Sequence, residues 1–419
     1  GSDIDGEAAD DQSGWSVSIN SAGDRVAIGA DRNDGTGSNA GHVRVYEYSN
    51  SSWSQLGSDI DGEAAEDRSG RSVSINSAGD RVAIGAHGND GTGTGAGHVR
   101  VYEYSNSSWT QLGSDIDGEA AYDASGHSVS INSAGDRVAI GAFGNDGTGT
   151  YAGHVRVYEY SNSSWSQLGS DIDGESAYDQ SGRHSVSINS AGDRVAIGAP
   201  GNDGTGTSAG HVRVYEYSNS SWTQLGSDID GEAAYDYSGT SVSMDSAGDR
   251  VAIGAIGNDG LDSLEGHVRV YEYSNSSWTQ LGSDIDGEAM SDESGRSVSI
   301  NSAGNRVAIG AYGNDGTGTS AGHVRVYEYS NSSWSQLGSD IDGEAAGDYS
   351  GISVSMDSDG DRVAIGAYQN DGTATDAGHV RVYSIGNSVQ YTYVPDDNFE
   401  QALIDAGYDD ALDDSVLTA

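Results

Sequence analysis

Over residues 1–394 apolar and polar positions alternate in short runs, and the runs come in sets of four. The first set is "WSVSIN" (Trp15–Asn20), "RVAIGA" (Arg25–Ala30), "HVRVYEY" (His42–Tyr48) and "SWSQLG" (Ser52–Gly57). Their period of two is that of a strand, and no helical period appears inside a set. The connections "SAGD", "DRNDGTGSNAG", "SNSS" and "SDIDGEAADDQSG" are built of turn formers. Read straight through, the alternation puts Val17, Ile19, Val26, Ile28, Val43 and Val45 on one face. Ser16, Ser18, Ala27, Gly29, Arg44, Tyr46 and Tyr48 then share the other. Stacked sheets use both faces, the branched one of each packing on the small one of its neighbour. Sheets that diverge from an axis need their bulk far out, where Tyr46, Tyr48 and Trp53 fall.

The set recurs. "GSDIDGE" begins at Gly1, Gly57, Gly113, Gly169, Gly226, Gly282 and Gly338, every 56 residues except for one interval of 57, where "SGRHSVS" adds His184. Four short strands repeated seven times predict an all-β fold over residues 1–394, a seven-bladed β-propeller of four-stranded antiparallel blades. A β-solenoid fits less well, because its rungs are shorter than this repeat. Two segments compete to close the ring at blade seven, the N-terminal "GSDIDG" and the tail run Asn387–Val394. Residues 395–419 form a separate C-terminal segment. Within it Pro395–Asp410 reads as a short helix, with Asp396 or Asp397 as its cap and Gly407 past its end.

Variation between repeats is not spread evenly. In a propeller the second-to-third loop and the blade-to-blade crossover share one end, and the free positions fall there. After "AIGA" stand Asp31, His87, Phe143, Pro200, Ile256, Tyr312 and Tyr368. The crossover varies at Asp10, Glu66, Tyr122, Tyr178, Tyr235, Ser291 and Gly347, and again before "SG" at Gln12, Arg68, Ala124, Gln180, Tyr237, Glu293 and Tyr349. After "SG" come Trp15, Arg71, His127, Arg183, Thr240, Arg296 and Ile352. "SAGD" and "SNSS", at the other end, change little. Neutral drift would scatter over both ends. Arginine and aromatic residues, the types enriched in binding hot spots, recur at the free positions. They are therefore the candidate partner-binding residues, for a glycan or a protein.

At "SGRSVSINSAGDRVAIGA" (Ser69–Ala86) followed by "GHVRVYEY" (Gly97–Tyr104) the repeat resembles the FG-GAP family, the blades of integrin α-subunit propellers. Pro200 even completes a literal "GAP". The resemblance implies an extracellular adhesion module and a propeller that is one domain of a longer, monomeric chain. Such blades often carry a calcium loop between their first two strands. Here "NSAGD" (Asn20–Asp24) is too short to wrap a cation, so that site is not carried over. The tail resembles the opening of leucine-rich-repeat segments that follow such propellers in surface proteins of marine bacteria. A secreted or cell-surface bacterial protein is the expectation, and the start in mid-repeat fits part of a longer chain.

Charge narrows the partners. The net charge is −46, and all 19 basic residues are arginine. Nucleic acid and anionic membranes need clustered cations, so cations are the favoured small partners. With no cysteine there are no disulfides and no thiolate metal sites. No run is long enough to insert in a membrane. "SDIDGEA" offers an aspartate pair in every repeat: Asp3 and Asp5, Asp59 and Asp61, Asp115 and Asp117, Asp171 and Asp173, Asp228 and Asp230, Asp284 and Asp286, Asp340 and Asp342. Calcium takes oxygens from such glycine-turned loops, and capping of turn amides is the competing use. The "GHV" histidines (His42, His98, His154, His211, His267, His323, His379) are expected to be packed and hydrogen-bonded, not metal ligands. Asp24 and Arg25 of "GDR" are expected to pair, and "NSS" to be a hairpin turn. A seven-fold repeated residue makes a poor active site. The singular residues Trp15, His87, His127, Phe143 and His184 show no nucleophile–base pattern along the chain. The expectation is a non-catalytic binding module. A structural, calcium-stabilised spacer comes second and a glycoside-processing enzyme third.

Overall fold

The computed structural model describes residues 2–259 and 264–386, and beyond them the backbone of Gln390–Tyr393 and Ser415–Thr418. The chain divides into two units, Gly1–Tyr383 and Ser384–Ala419. The first is the seven-bladed propeller, all-β, each blade an antiparallel sheet. Blade one runs from the axis outward as Ser16–Ile19, Arg25–Ala30, His42–Ser49 and a split fourth strand, Ser52–Gln55 and Ile60–Asp61. Both halves of the fourth strand pair with the third. In the gap between them Gly57 takes a left-handed φ of 79°, and a Cβ there would stand 2.8 Å from Cδ1 of Trp109 in blade two. Glycine is required because the neighbouring indole closes over the backbone. The hairpin at "SNSS" turns through Asn50 and Ser51, both at positive φ, the geometry that matches strand twist.

The pairing register corrects one expectation. Val17 faces Ile28 across the first two strands, but Ile28 faces Arg44, Val26 faces Tyr46, and Ala27 faces Val45. Val43 and Val45 therefore lie on the serine–alanine–glycine face, and Arg44, Tyr46 and Tyr48 on the valine–isoleucine face. Parity cannot be counted through the long second-to-third loop, and only the hydrogen-bond register resets it. The corrected faces explain the packing. Ala27, Val43, Val45 and Ile60 of blade one meet Val73, Ile75, Val82, Ile84 and Trp109 of blade two. Small meets branched near the axis, and valine or leucine meets tyrosine and tryptophan far out. The widening gap is filled at every radius. The Trp109 indole N–H also reaches Leu56 O of blade one at 2.7 Å.

Near the axis hydrogen bonds between blades join the apolar contacts. Ser16 Oγ donates to Gly70 O of the next blade at 2.8 Å, and Ser18 Oγ accepts from Ile75 N at 3.0 Å. Ser21 N donates to Ser77 O at 3.3 Å. Among the described residues each contact recurs round the ring, to Ser353 Oγ→Gly14 O, Ile19 N→Ser355 Oγ and Ser358 N→Ser21 O. An innermost strand presents an unpaired edge to the channel, and serines of the adjoining blade satisfy it. That is why "SVSINS" scarcely changes.

Ile4–Asp5 pairs with Val380 and His379 in the third strand of blade seven, and Ile4 is buried with Val17, Val26 and Ile28 of blade one. Of the two candidates for closure, the N-terminal segment takes the place. Gln390–Tyr393 pairs instead with Ser415–Thr418. The helix expected over 395–410 lies outside the described residues. The "GDR" pairing is also corrected. Arg25 Nη2 reaches Glu47 Oε1 at 2.7 Å across the second and third strands, while Asp24 Oδ1 accepts from Asn20 Nδ2 at 2.8 Å.

Candidate functional site

At the variable end the crossover zips onto the second-to-third loop of the blade it leaves. Glu66 N donates to Ser38 O, Arg68 N to Asn39 O and Ser69 N to Ala40 O, at 2.8–3.1 Å. Between the two free positions stands a buried, unvarying aspartate. Asp67 Oδ2 accepts from Ala64 N at 3.0 Å and from Asn89 Nδ2 at 3.2 Å. It fixes the turn, so the residues on either side can vary. They hold a left-handed backbone: φ is 69° at Tyr122, 71° at Tyr178, 70° at Tyr235, 54° at Tyr237 and 54° at Tyr349. Blade seven has Gly347 at the first of these positions, at φ 86°. A bulky residue there costs on the order of 1–3 kcal/mol that glycine would avoid, and such strain concentrates at functional sites. Tyr122, Tyr178 and Tyr235 are nonetheless 67%, 61% and 56% exposed. Tyr151, not singled out in the sequence, stands exposed on the adjoining loop with its ring stacked 6.3 Å from that of Tyr178. The signal for it was available, since Asn39, Gly95, Ser208, Leu264, Ser320 and Asp376 stand at the same point of the other repeats.

The remaining free residues converge on the mouth of the central channel. A recess of about 220 Å³ is lined by Trp15, Arg71, His127, His184, Thr240, Arg296 and Ile352 at the heads of the innermost strands. In blade four two residues stand where the others have one. Arg183 N makes the turn bond to Gln180 O, and His184 takes the place at the recess, which corrects the assignment of that place to Arg183. The "AIGA" residues form a second tier packed against the first. Arg71 lies over the Trp15 ring at 4.0 Å and 3.4 Å from Asp31. Trp15 meets Tyr368 edge-on at 4.9 Å. His127 touches His87 at 5.2 Å, Phe143 at 4.9 Å and His184 at 5.5 Å. Tyr349 is tilted between Tyr312 and Tyr368, and Arg296 stands 5.8 Å over Tyr312. Pro200 and Ile256 line a cleft of about 510 Å³ with Tyr178, Tyr237, Arg183 and His184.

Two expectations change. Asp31 is buried against Arg71 and supports that arginine instead of facing a partner. The singular residues do form a constellation. Trp15, His87, His127, Phe143 and His184, scattered along the chain, meet at one asymmetric site because the ring brings every strand head to the axis.

Burial holds the three histidines neutral. It lowers His87 to about 3, helped by Arg71 and Arg68, and puts His127 and His184 well below the usual range. The ring nitrogen Nδ1 of His127 contacts Arg183 O and so carries the proton. Tyr312 donates its hydroxyl to Glu293 Oε2 at 2.9 Å, and burial beside that carboxylate lifts its pKa beyond the usual range.

In blade five both aspartates of the pair, Asp284 and Asp286, line one cleft with Glu232, Asp236, Asp259 and His267. In blades one to four and seven the first aspartate of the motif meets a glutamate from the preceding crossover and the "GHV" histidine, as in Glu7, His42 and Asp59 or in Asp3, Glu344 and His379. Burial, then the neighbouring charge of Asp59, raises the carboxyl pKa of the second aspartate Asp61. Arg44 already stands 3.4 Å from Glu7, and Asp59 accepts from Gln55 at 2.6 Å. Two carboxylates and one imidazole nitrogen are fewer than the six to eight ligands calcium takes, so an ion there would complete its shell with water or loop oxygens. In "NDG" the carboxylate is a cap, Asp34 Oδ1 accepting from Asn39 N at 2.8 Å. The "GHV" histidines are packed as expected, and burial lowers His42 to about 4. They are not hydrogen-bonded throughout: Nε2 of His154, His211, His267 and His323 is buried without a partner.

No family model and no curated protein matches the chain. Solved structures do. Hydrazine synthase from Kuenenia stuttgartiensis matches with a TM-score of 0.56 at 11% identity, over 92% of this chain and 98% of that one. A protein described as a 6-phosphogluconolactonase from Bacteroides uniformis matches with a TM-score of 0.58 at 10% identity, over 87% and 93%. Another so described, from Bacteroides fragilis, gives 0.51 at 10% identity, over 82% and 86%. These neighbours are named as enzymes, so they lend no support to the expectation of a non-catalytic chain. At such identities the likeness establishes the β-propeller fold and carries nothing about what its variable end does.

Proposed function

We propose that the variable end is a recognition face for a glycan or protein partner, in a non-catalytic module of the kind the FG-GAP resemblance implies. The observation that supports it is the set of exposed tyrosines on left-handed backbone at Tyr122, Tyr178 and Tyr235. The fold would be relieved by glycine at each, as blade seven has at Gly347, so stability does not account for the rings. Tyrosine supplies a rigid contact surface with a polar tip at low entropic cost, and Tyr151, Tyr178, Tyr237 and Tyr235 follow one another as a shelf along the cleft. The test replaces the three together, Tyr122→Gly, Tyr178→Gly and Tyr235→Gly, and compares binding on glycan and peptide arrays with thermal unfolding. Binding should fall at least tenfold while the melting midpoint holds or rises. Unchanged binding would leave the spacer reading, and turnover of a polysaccharide by the unaltered protein would establish the enzyme reading.

A further inference from the structure

The arginines are distributed unevenly. Two stand in each of the seven repeats, after "GD" or "GN" and after "HV", which leaves five of the 19: Arg32, Arg68, Arg71, Arg183 and Arg296. All five lie in the loops and crossovers of the variable end. In blades one to six the framework arginines have carboxylate partners, as in Arg25–Glu47 and Arg44–Glu7. At the channel mouth the balance reverses. Arg71 has Asp31 at 3.4 Å. Arg183 donates from Nη1 to an uncharged acceptor, Gln180 Oε1, at 2.6 Å, and its Nε is buried without a partner. Arg296 stands over the Tyr312 ring, and among the described residues no carboxylate lies within ion-pair distance of it or of Arg183. Burial, then the charge of Arg296, disfavours the charged form of Arg183; at Arg71 burial acts first, Asp31 opposes it, and the push of Arg296 is smaller than that pull.

Gathering like charges round one recess is unfavourable, and a chain with a net charge of −46 has carboxylates in plenty to relieve it. A guanidinium left without a counter-charge in a half-buried place is a binding fork for a planar or tetrahedral oxyanion. The recess of about 220 Å³ has room for one such group and its remaining water. We infer that the channel mouth binds a single oxyanion, a carboxylate, sulfate or phosphate group, held by Arg296 with Arg71 across the recess, while Arg183 stands in the adjoining cleft beside His184. Resting on the recognition reading above, this makes the partner an acidic one, presenting that group on the axis while its body lies across the tyrosine shelf.

The test is calorimetric titration of the full chain with sodium sulfate, sodium phosphate and sodium acetate, each in chloride buffer at constant ionic strength. One saturable site is expected for at least one of the three, and the anion that binds best identifies the source. Arg296→Gln should weaken it at least tenfold. Arg32→Gln, the same charge change on an exposed side chain of the same end, should leave it unaltered. No saturable heat from any of the three anions overturns the inference, as does equal weakening by both variants. Thermal unfolding confirms that each variant folds. The triple tyrosine variant should still bind the inorganic anion. Its loss of array binding therefore reports on the shelf alone, and failure of one reading is separable from failure of the other.

Discussion

Asn20 shows how much one atom matters in this repeat. Its Oδ1 accepts from Asp24 N and Arg25 N at 3.0 and 2.9 Å, and its Nδ2 donates to Asp24 Oδ1. In blades five and seven the position is Asp245 and Asp357. The acceptor bonds survive, as in Asp245 Oδ1 to Asp249 N at 3.0 Å, but a carboxylate cannot donate to the carboxylate of Asp249. Burial, then that neighbouring charge, pushes Asp245 up to about 6, and burial with Asp361 does the same to Asp357. The folded state therefore holds these protons more tightly than the unfolded chain. Stability falls as pH rises from about 4 to about 6, and the penalty is complete above that. Asp245→Asn or Asp357→Asn should raise the melting midpoint by roughly 1–3 °C at pH 8, with the gain vanishing toward pH 4. A gain independent of pH in scanning calorimetry would refute the account. These aspartates could be seen in the sequence as a conservative change. That they are a titrating defect follows only from the neighbour placed against them.

The inner strand shows the same contrast among whole elements. Its existence, its length and its serine–aliphatic alternation are plain in "SVSI". The purpose of the serines is not, because their partners lie one repeat away. Ser74 Oγ accepts from Ile131 N at 3.0 Å. Ser74→Ala strands that amide beside the channel and should cost about 1–3 kcal/mol in urea unfolding, whereas Ser54→Ala on an exposed fourth strand should cost almost nothing. Equal costs would mean that channel water replaces the serine ring. The face assignment of Val43 and Val45 failed for a related reason. Local periodicity holds along a strand, but the phase between strands is set by the register on the far side of an 11-residue loop.

Over the whole molecule, stability depends on closing a circle. Ile4 occupies in blade seven the place that Ile60 holds in blade one, each 4% exposed and paired with the second residue of a "HV" strand. If the N-terminal segment closes the ring as one more interface, Ile4→Ala and Ile60→Ala should cost the same, about 2–5 kcal/mol. A much smaller cost at Ile4 would show that the ring holds without that clasp.

Repetition made the fold legible. Seven near-identical copies of four alternating runs specify the blades, their number and the end at which variation gathers, because period and turn chemistry are local properties of the chain. The same repetition concealed the site. Residues some 56 positions apart become neighbours only when the ring bends every inner strand to one axis. Arg71 then meets Trp15 and Asp31, and His127 meets His87, Phe143 and His184. Which free residues are buried in that mouth and which, like Tyr122, stand out in solvent is decided by distance from the axis, a quantity no single repeat contains.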